Sequence, residues 1–418
     1  MTTKPLTRDI LAGRDAGDPL ARFGERFELP EGVIYLDGNS LGALPRAAGE
    51  RLQTLVADEW GHGLIRSWNL HDWIGLPQRA GDKIARLIGA GPGEVVVADS
   101  TSVNLFKLLA SALALRPGRS IIVTEADNFP TDGYIIEGLL GVMGRPLDCI
   151  RYWDLAEAQD VITAIDDDTA VVALTHVNYK SGLIHDMEAI TNAAHEAGAL
   201  MLWDLCHSAG AMPVELNACG VDFAVGCGYK YLNGGPGAPA FLYVAEHLQN
   251  DITPPLSGWM GHSAPFAFDR DYSPASGITR NLCGTPPVLS MVCLDAALDV
   301  MLEADMDELR RKSLALSDAF IDLVEQECAD LGFESLAPPS AQRGSQVSLT
   351  HQHAYPVMQA LIAHRVIGDF RTPNIMRFGF APLYIRHVDI WDAVAILKEI
   401  MQTRAWDKPK YHKRGKVT

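Results

Sequence analysis

The chain has 418 residues, 48% of them hydrophobic, enough for one large two-lobed unit or two to three ordinary domains around a substantial core. Its net charge of −17, with a single basic run at the C-terminus ("KPKYHKRGKVT") read as a solvated end, argues against nucleic acid and anionic membranes as partners. No apolar stretch is long enough to span a bilayer, and the start, "MTTKPLTRDILAGRDAGDPL", lacks the apolar core of a signal peptide.

The seven cysteines lie in apolar or small-residue contexts without C-x-x-C spacing. They read as reduced thiols of a cytoplasmic protein, and no metal site is expected. From about Lys83 to Val244, short apolar runs alternate with helical patterns. "EVVVADS" precedes a helix expected around Val103–Leu115. "SIIVTEAD", "TAVVALTHV", the helical "AITNAAHEAG", "ALMLWDLCHSAG", "DFAVGCG" and "AFLYV" follow in order. Runs apolar on both faces and separated by helices predict an α/β fold with a mostly parallel sheet covered on both sides. Ligands of such sheets bind beyond the carboxyl ends of the strands.

After Pro286–Pro287 the pattern changes. "VLSMVCLDAALDVML" and "DELRRKSLALSDAFIDLVEQEC" are predicted helices, the second burying Leu309, Leu316, Phe320, Leu323 and Val324 on one face. "LAPPSAQRGSQVSL" reads as loop into strand, and "HAYPVMQALIAHRVIGDFRTPNIMRFGFAPLY" as helix, strand, turn, strand. The expected organisation is an N-terminal segment (1–65) that contributes to the small domain and the site, a large domain (66–286) and a small α+β domain (287–418).

Asp204 ends the apolar run "ALMLWD", and Lys230 follows one strand later in the turn "GYKYLNGGPG". An aspartate at one end of a planar ring and a lysine at the other is what pyridoxal 5'-phosphate needs. The lysine amine condenses with the aldehyde, and the carboxylate keeps the pyridine nitrogen protonated. A helix-capping aspartate and a solvent-facing lysine are the structural alternatives. His207 in "DLCHSAG" and the glycine-rich turn favour the functional reading. Gly226, Gly228, Gly234 and Gly235 are expected to let backbone and cofactor approach closely.

"DLCHSAG" followed by "GYKYLNGGPG" resembles the aminotransferase-like, fold type I pyridoxal-phosphate enzymes, and more narrowly the kynureninase family. "IYLDGNSLGALP", "DSTSVNLFK", "DNFPTDGY", "SGWMGH", "NLCGTPPVLSMVCLDAAL" and "MRFGFAPLY" extend the resemblance nearly end to end. It implies that Lys230, Tyr229 and Asp204 are catalytic. Thr101 and Ser102 would bind the cofactor phosphate at a helix start, although a plain N-cap predicts the same hydroxyls. Phe129 would stack on the ring, Asp132 and Thr175 would lie beside it, and His207 would hydrogen-bond near it. Tyr229 would touch the phosphate and relay a proton, whereas Tyr231 is expected to be structural. Trp259 and Thr285 would complete the phosphate cup from the neighbouring subunit of a homodimer.

Arg377 in "IMRFGF" is the candidate for gripping the substrate carboxylate, with a structural salt bridge as its competitor. Asn39, Ser40, His62 and Trp68 are expected to complete the substrate pocket. The implied reaction, in tryptophan catabolism, is hydrolysis of L-kynurenine or its 3-hydroxy form to L-alanine and an anthranilate. Three alternatives share the residues. A cysteine desulfurase or selenocysteine lyase would need a cysteine near Arg377, and "RTPNIMRFGFAPLY" has none. Chemistry alone does not separate an aminotransferase. A catalytically silent cofactor-binding protein fits poorly with Lys230, Asp204, Tyr229 and Arg377 all present.

Overall fold

The computed structural model describes residues 5–154 and 161–415. The first four residues and the end of the basic C-terminal run lie outside them. Seven strands form the main sheet: β1 (Val95–Val97), β2 (Ile121–Glu125), β3 (Ile150–Trp153), β4 (Thr169–Thr175), β5 (Leu200–Asp204), β6 (Phe223–Cys227) and β7 (Ala240–Val244), in the order β1-β7-β6-β5-β4-β2-β3. β7 pairs antiparallel with both β1 and β6, so it is the one reversed strand. Every residue of β4, β5, β6 and β7 is buried. Helices cover both faces, which is why these strands are continuously apolar rather than alternating.

The helix expected from Val103 begins at Thr101 and runs to Leu115. Ser100 is its cap, its Oγ accepting the Val103 N–H at 3.4 Å. Asp186 caps Met187–Glu196 in the same way, and Asp305 accepts from both Asp307 and Glu308 at the start of Met306–Cys328. That last helix buries the five apolar residues its spacing predicted. The helix Val288–Leu302 follows Pro286–Pro287 and packs back on helix Leu76–Leu87, where Lys83 meets Asp295 at 2.8 Å and Asp299 at 2.7 Å.

A second, antiparallel sheet contains β8 (Glu334–Ser335), β9 (Gln346–Thr350), β10 (Asp369–Arg371) and β11 (Ile375–Gly379), ordered β8-β9-β11-β10. Ile34–Tyr35 pairs in parallel with Val366–Ile367, and Asp37 bridges to Gly379. The chain entering "DGNS" is thereby delivered to the small sheet. The site lies where the carboxyl ends of β4, β5 and β6 face β10 and β11.

The glycines of the lysine turn pack closely against the chain itself. A Cβ on Gly228 would lie 2.5 Å from the Pro239 carbonyl oxygen, and one on Gly234 2.7 Å from the Gly228 carbonyl oxygen. They let the turn close on itself and on the residue that leads into β7. Gly235 adopts φ +85°, a left-handed turn conformation open to glycine.

Candidate active site

A cavity of about 360 Å³ opens between the two sheets. Its large-sheet wall is built from strand ends. Thr175 and Asp204 are the last residues of β4 and β5 and sit directly opposite each other. The Asp204 Oδ1 accepts the Cys206 N–H at 2.7 Å. Burial raises the Asp204 carboxyl, against the pull of the Cys206 hydrogen bonds and the Lys230 charge. Asp132 lies close by in helix Pro130–Val142 and accepts from Asn128 Nδ2 at 3.1 Å. Burial pushes its carboxyl well up, and the Asp204 charge adds to the effect.

Lys230 projects into the same cavity, its Nζ 3.0 Å from His207 Nε2. Burial drives the His207 imidazole well down, reinforced by the Lys230 charge, so it is neutral and accepts from the ammonium. Burial also raises the Tyr229 phenol and keeps its proton in place at neutral pH. Because Ser100 takes the capping role, the hydroxyls of Thr101 and Ser102 are left to line the cavity at the positive end of their helix. Phe129 borders the cavity half exposed, its ring edge-on to Tyr179 at 5.2 Å. Tyr231 lies outside: it is buried and donates to the Ser345 carbonyl at 2.9 Å, a structural role as expected.

The small-sheet wall carries the opposite charge. Arg377 on β11 stands directly across from Asp369 on β10. Its Nε and Nη2 donate to the two Asp369 carboxylate oxygens at 2.8 and 2.5 Å, its Nη1 to the Tyr179 carbonyl at 2.7 Å, and its Nη2 also to Ser40 Oγ at 3.2 Å. Arg377 is therefore both ion-paired and a wall of the cavity, and the two readings of this residue coexist. Asp369 also takes Arg371 at 2.7 Å and the Ser40 hydroxyl at 2.5 Å. Burial alone would raise Asp369, but Arg377 and Arg371 hold it below the usual carboxylate range. Asp37, behind this pair, is pushed up to about 7 by burial and by the Asp369 charge. Asn39 is fully buried on the cavity wall, and neither end of its amide has a hydrogen-bond partner among the described residues.

Four expected residues do not reach the cavity of their own chain. Trp259 is 40% exposed and packs on Phe266 at 5.5 Å, and Thr285 is exposed. His62 is exposed near Asp58, and Trp68 packs edge-on against Trp73 at 5.8 Å. Conversely, the cavity uses Thr131, Tyr179, Cys206 and Arg371, which sequence reasoning passed over. Arg371 was within reach: the two-residue period of a strand puts it on the same face as Asp369. Tyr179 carried no signal, because its backbone carbonyl is the group that holds Arg377.

The kynureninase C-terminal domain family matches residues 309–397. The chain is 54% identical to the kynureninase of Burkholderia pseudomallei (strain 1710b), over 99% of this chain and all of that protein. It is 53% identical to the kynureninase of Pseudomonas fluorescens over the same shares. Among solved structures, the cysteine desulfurase of Thermococcus onnurineus NA1 superposes with a TM-score of 0.75 at 21% identity, covering 92% of this chain and 98% of that one. The cysteine desulfurase CsdA of Escherichia coli gives 0.75 at 19% identity, with the same coverage. The structural likeness establishes the fold, that of the fold type I pyridoxal-phosphate enzymes, and fold does not by itself set the reaction. The full-length identity is far closer and points one way: the chain belongs to the kynureninase family.

Proposed function

We propose that this enzyme hydrolyses L-kynurenine, and its 3-hydroxy form, to L-alanine and the corresponding anthranilate in tryptophan catabolism, with pyridoxal 5'-phosphate as cofactor. The carrying observation is full-length identity to curated kynureninases, joined to one cavity that holds Lys230, Asp204, Tyr229 and Arg377 together.

The residues present suit the cofactor. Two buried carboxylates, Asp204 and Asp132, face a single ammonium, Lys230, and a positively charged ring nitrogen would relieve the excess. Thr101 and Ser102 would hold its phosphate, Phe129 would cover its ring, and Thr175 and His207 would flank it. When bound, pyridoxal phosphate supplies an electron sink for the substrate carbon. Lys230 would take the proton from the substrate α-carbon and return it. His207, held neutral 3.0 Å away, accepts a hydrogen bond from Lys230 and steadies its position over the cavity. Tyr229, kept as a phenol by burial, would give a proton to the substrate β-carbon as the Cβ–Cγ bond breaks. Arg377 gives its Nε and Nη2 to Asp369 and its Nη1 to the Tyr179 carbonyl, so a substrate carboxylate would meet the remaining Nη1 hydrogen and take the place of Ser40 at Nη2, with Asn39 beside it.

The desulfurase reading meets a cysteine only at the far end of the cavity. Cys206 sits beside Asp204, and its thiol is pushed well up, first by its hydrogen bond to Cys227 and then by burial. A thiol held protonated is a poor nucleophile. We also infer a homodimer. Trp259, Phe266, Phe268 and Tyr272 leave an exposed aromatic patch that a second copy would cover while bringing Trp259 and Thr285 to its cavity. Residues 66–286 would be the cofactor domain, 287–418 the small domain and 1–65 the segment that joins it. His62 and Trp68 would act across the subunit boundary. Free cysteines agree with a cytoplasmic location, and no described helix is long and apolar enough to cross a membrane.

Incubating the purified, cofactor-loaded protein with L-kynurenine should release anthranilate fluorescence and an equivalent of alanine. Alanine from cysteine but none from kynurenine would overturn the assignment.

A further inference from the structure

Two cysteines lie at the Asp204 end of the cavity, Cys206 on its wall and Cys227 behind it, and the proposed reaction uses neither. Cys227 is the last residue of β6 and is 2% exposed, whereas Cys206 lies just past β5 and lines the cavity. β5 and β6 run parallel with Asp204 opposite Val225, and the Leu205 N–H donates to the Val225 carbonyl at 2.8 Å. Cys227 ends β6 two residues past Val225, and Cys206 lies in the turn two residues past Asp204, so neighbouring strand ends bring the two close together. The Cys227 thiol donates to the Cys206 carbonyl oxygen at 3.9 Å, and the Cys206 Sγ lies 3.7 Å from Thr101 Oγ1. Neighbouring strands run about 4.8 Å apart, inside the roughly 4.4–6.8 Å of Cα separation that a disulfide spans.

We propose that Cys206 and Cys227 form a dithiol oxidation site, in which a hydroperoxide entering the cavity joins them as a disulfide and disables the Asp204 end of the active site. The thiolate of the pair attacks one peroxide oxygen. The O–O bond breaks, an alcohol or water leaves, and a sulfenic acid remains on sulfur. The second sulfur, giving up its proton, attacks the first. The S–S bond forms and the sulfenic oxygen departs as water. Two electrons pass from the two sulfurs to the peroxide, so no further oxidant is needed.

The surroundings support the chemistry. Burial raises the Cys227 thiol, but the hydrogen bond from Cys206 and the Lys230 charge bring it down to about 7. A thiol near ambient pH is the best placed for exchange and oxidation. The other pole of the site supplies the consequence. The Cys206 N–H is what the Asp204 Oδ1 accepts, at 2.7 Å, so drawing Cys206 toward β6 displaces the carboxylate that the cofactor ring would use. The bond itself is independent of the substrate; its effect on turnover rests on the proposed function.

The test treats purified, cofactor-loaded enzyme with hydrogen peroxide, blocks free thiols with N-ethylmaleimide and maps disulfides by mass spectrometry. A peptide pair linked through Cys206 and Cys227 should appear and vanish with dithiothreitol. Kynurenine turnover should fall at least about fivefold and return on reduction. Cys227→Ala should keep basal turnover and resist peroxide. Should that variant fold poorly, phenylarsine oxide, which bridges adjacent thiols, should bind the wild-type enzyme at one equivalent and block the peroxide linkage. Peroxide that leaves both cysteines alkylatable, or no uptake of the arsenical, would overturn the site. Equal inactivation of Cys227→Ala, or a linked pair with undiminished turnover, would overturn its effect on Asp204. The linked peptide reads the same whether or not kynurenine is the substrate, so failure of the substrate assignment stays distinguishable.

Discussion

The two walls of the cavity handle charge in opposite ways. On the large-sheet wall, Asp204 and Asp132 are buried together with Lys230 as their cation, and burial lifts both carboxyls. On the small-sheet wall, Asp369 is satisfied by Arg377, Arg371 and Ser40, and its carboxyl is held down. The first wall is electrostatically incomplete without a ligand; the second is complete without one. A site that binds a cofactor throughout its cycle can leave its charges for that cofactor to balance. A site that admits and releases a substrate each turn does better with an arginine already fixed in place.

The largest effect expected of any change is on the incomplete wall. Lys230→Ala should abolish the visible absorbance of the bound cofactor and nearly all turnover, since no other described lysine lines the cavity. Retained colour and activity in that variant would sink the cofactor assignment. Asp204→Asn comes next. A neutral amide cannot hold a ring nitrogen protonated, so the fold should persist while kcat drops by orders of magnitude. Near-normal kcat at full cofactor occupancy would remove Asp204 from that role.

Changes on the complete wall should act on substrate instead. Arg377→Ala removes charge-assisted hydrogen bonds of about 1.5–3 kcal/mol each, so kcat/KM should fall roughly 10- to 100-fold with cofactor absorbance unchanged. Arg371 remains to pair with Asp369, which limits the cost to folding. Arg377→Lys should recover part of the loss, because an ammonium lacks the planar fork. Loss of cofactor with substrate affinity intact would make Arg377 purely structural.

The smallest effect is in pH. Asp37 titrates at about 7, above its ordinary 3.8, so the folded protein favours its protonated form. Its contribution to stability is fully present below the ordinary value and is lost as pH rises through about 7. Above that point a second negative charge competes with the substrate for Arg377 and Arg371. KM for kynurenine should therefore rise severalfold from about pH 6 to about pH 8, and Asp37→Asn should flatten that rise. An unchanged profile in the variant would mean that Asp37 does not titrate against this pair.

Much of the fold was legible because it is written in short-range patterns. The buried strands read as unbroken apolar runs, and helix Met306–Cys328 showed its core face in the spacing of Leu309, Leu316 and Phe320. What the spacing could not show was direction. β7 turns back on β6 through the lysine turn, and the same five apolar residues would serve a parallel strand equally well.

The sequence by itself picked out the residues of the large-sheet wall, because Asp204, His207, Tyr229 and Lys230 lie within 27 positions, and the structure gathers them in one cavity. The sequence also named Arg377, Asn39 and Ser40 for the other wall, but tertiary structure alone decided their partners. Asp369 and Ser40 are 329 residues apart, and Arg377 reaches the carbonyl of Tyr179 across 198. Contacts of that length leave no local period to read, and a backbone carbonyl leaves no mark on residue identity. Folding also chose between the two meanings of a hydroxyl at a helix start, giving the cap to Ser100 and the cavity to Thr101 and Ser102, since one side chain cannot accept the first free N–H and face a ligand at once.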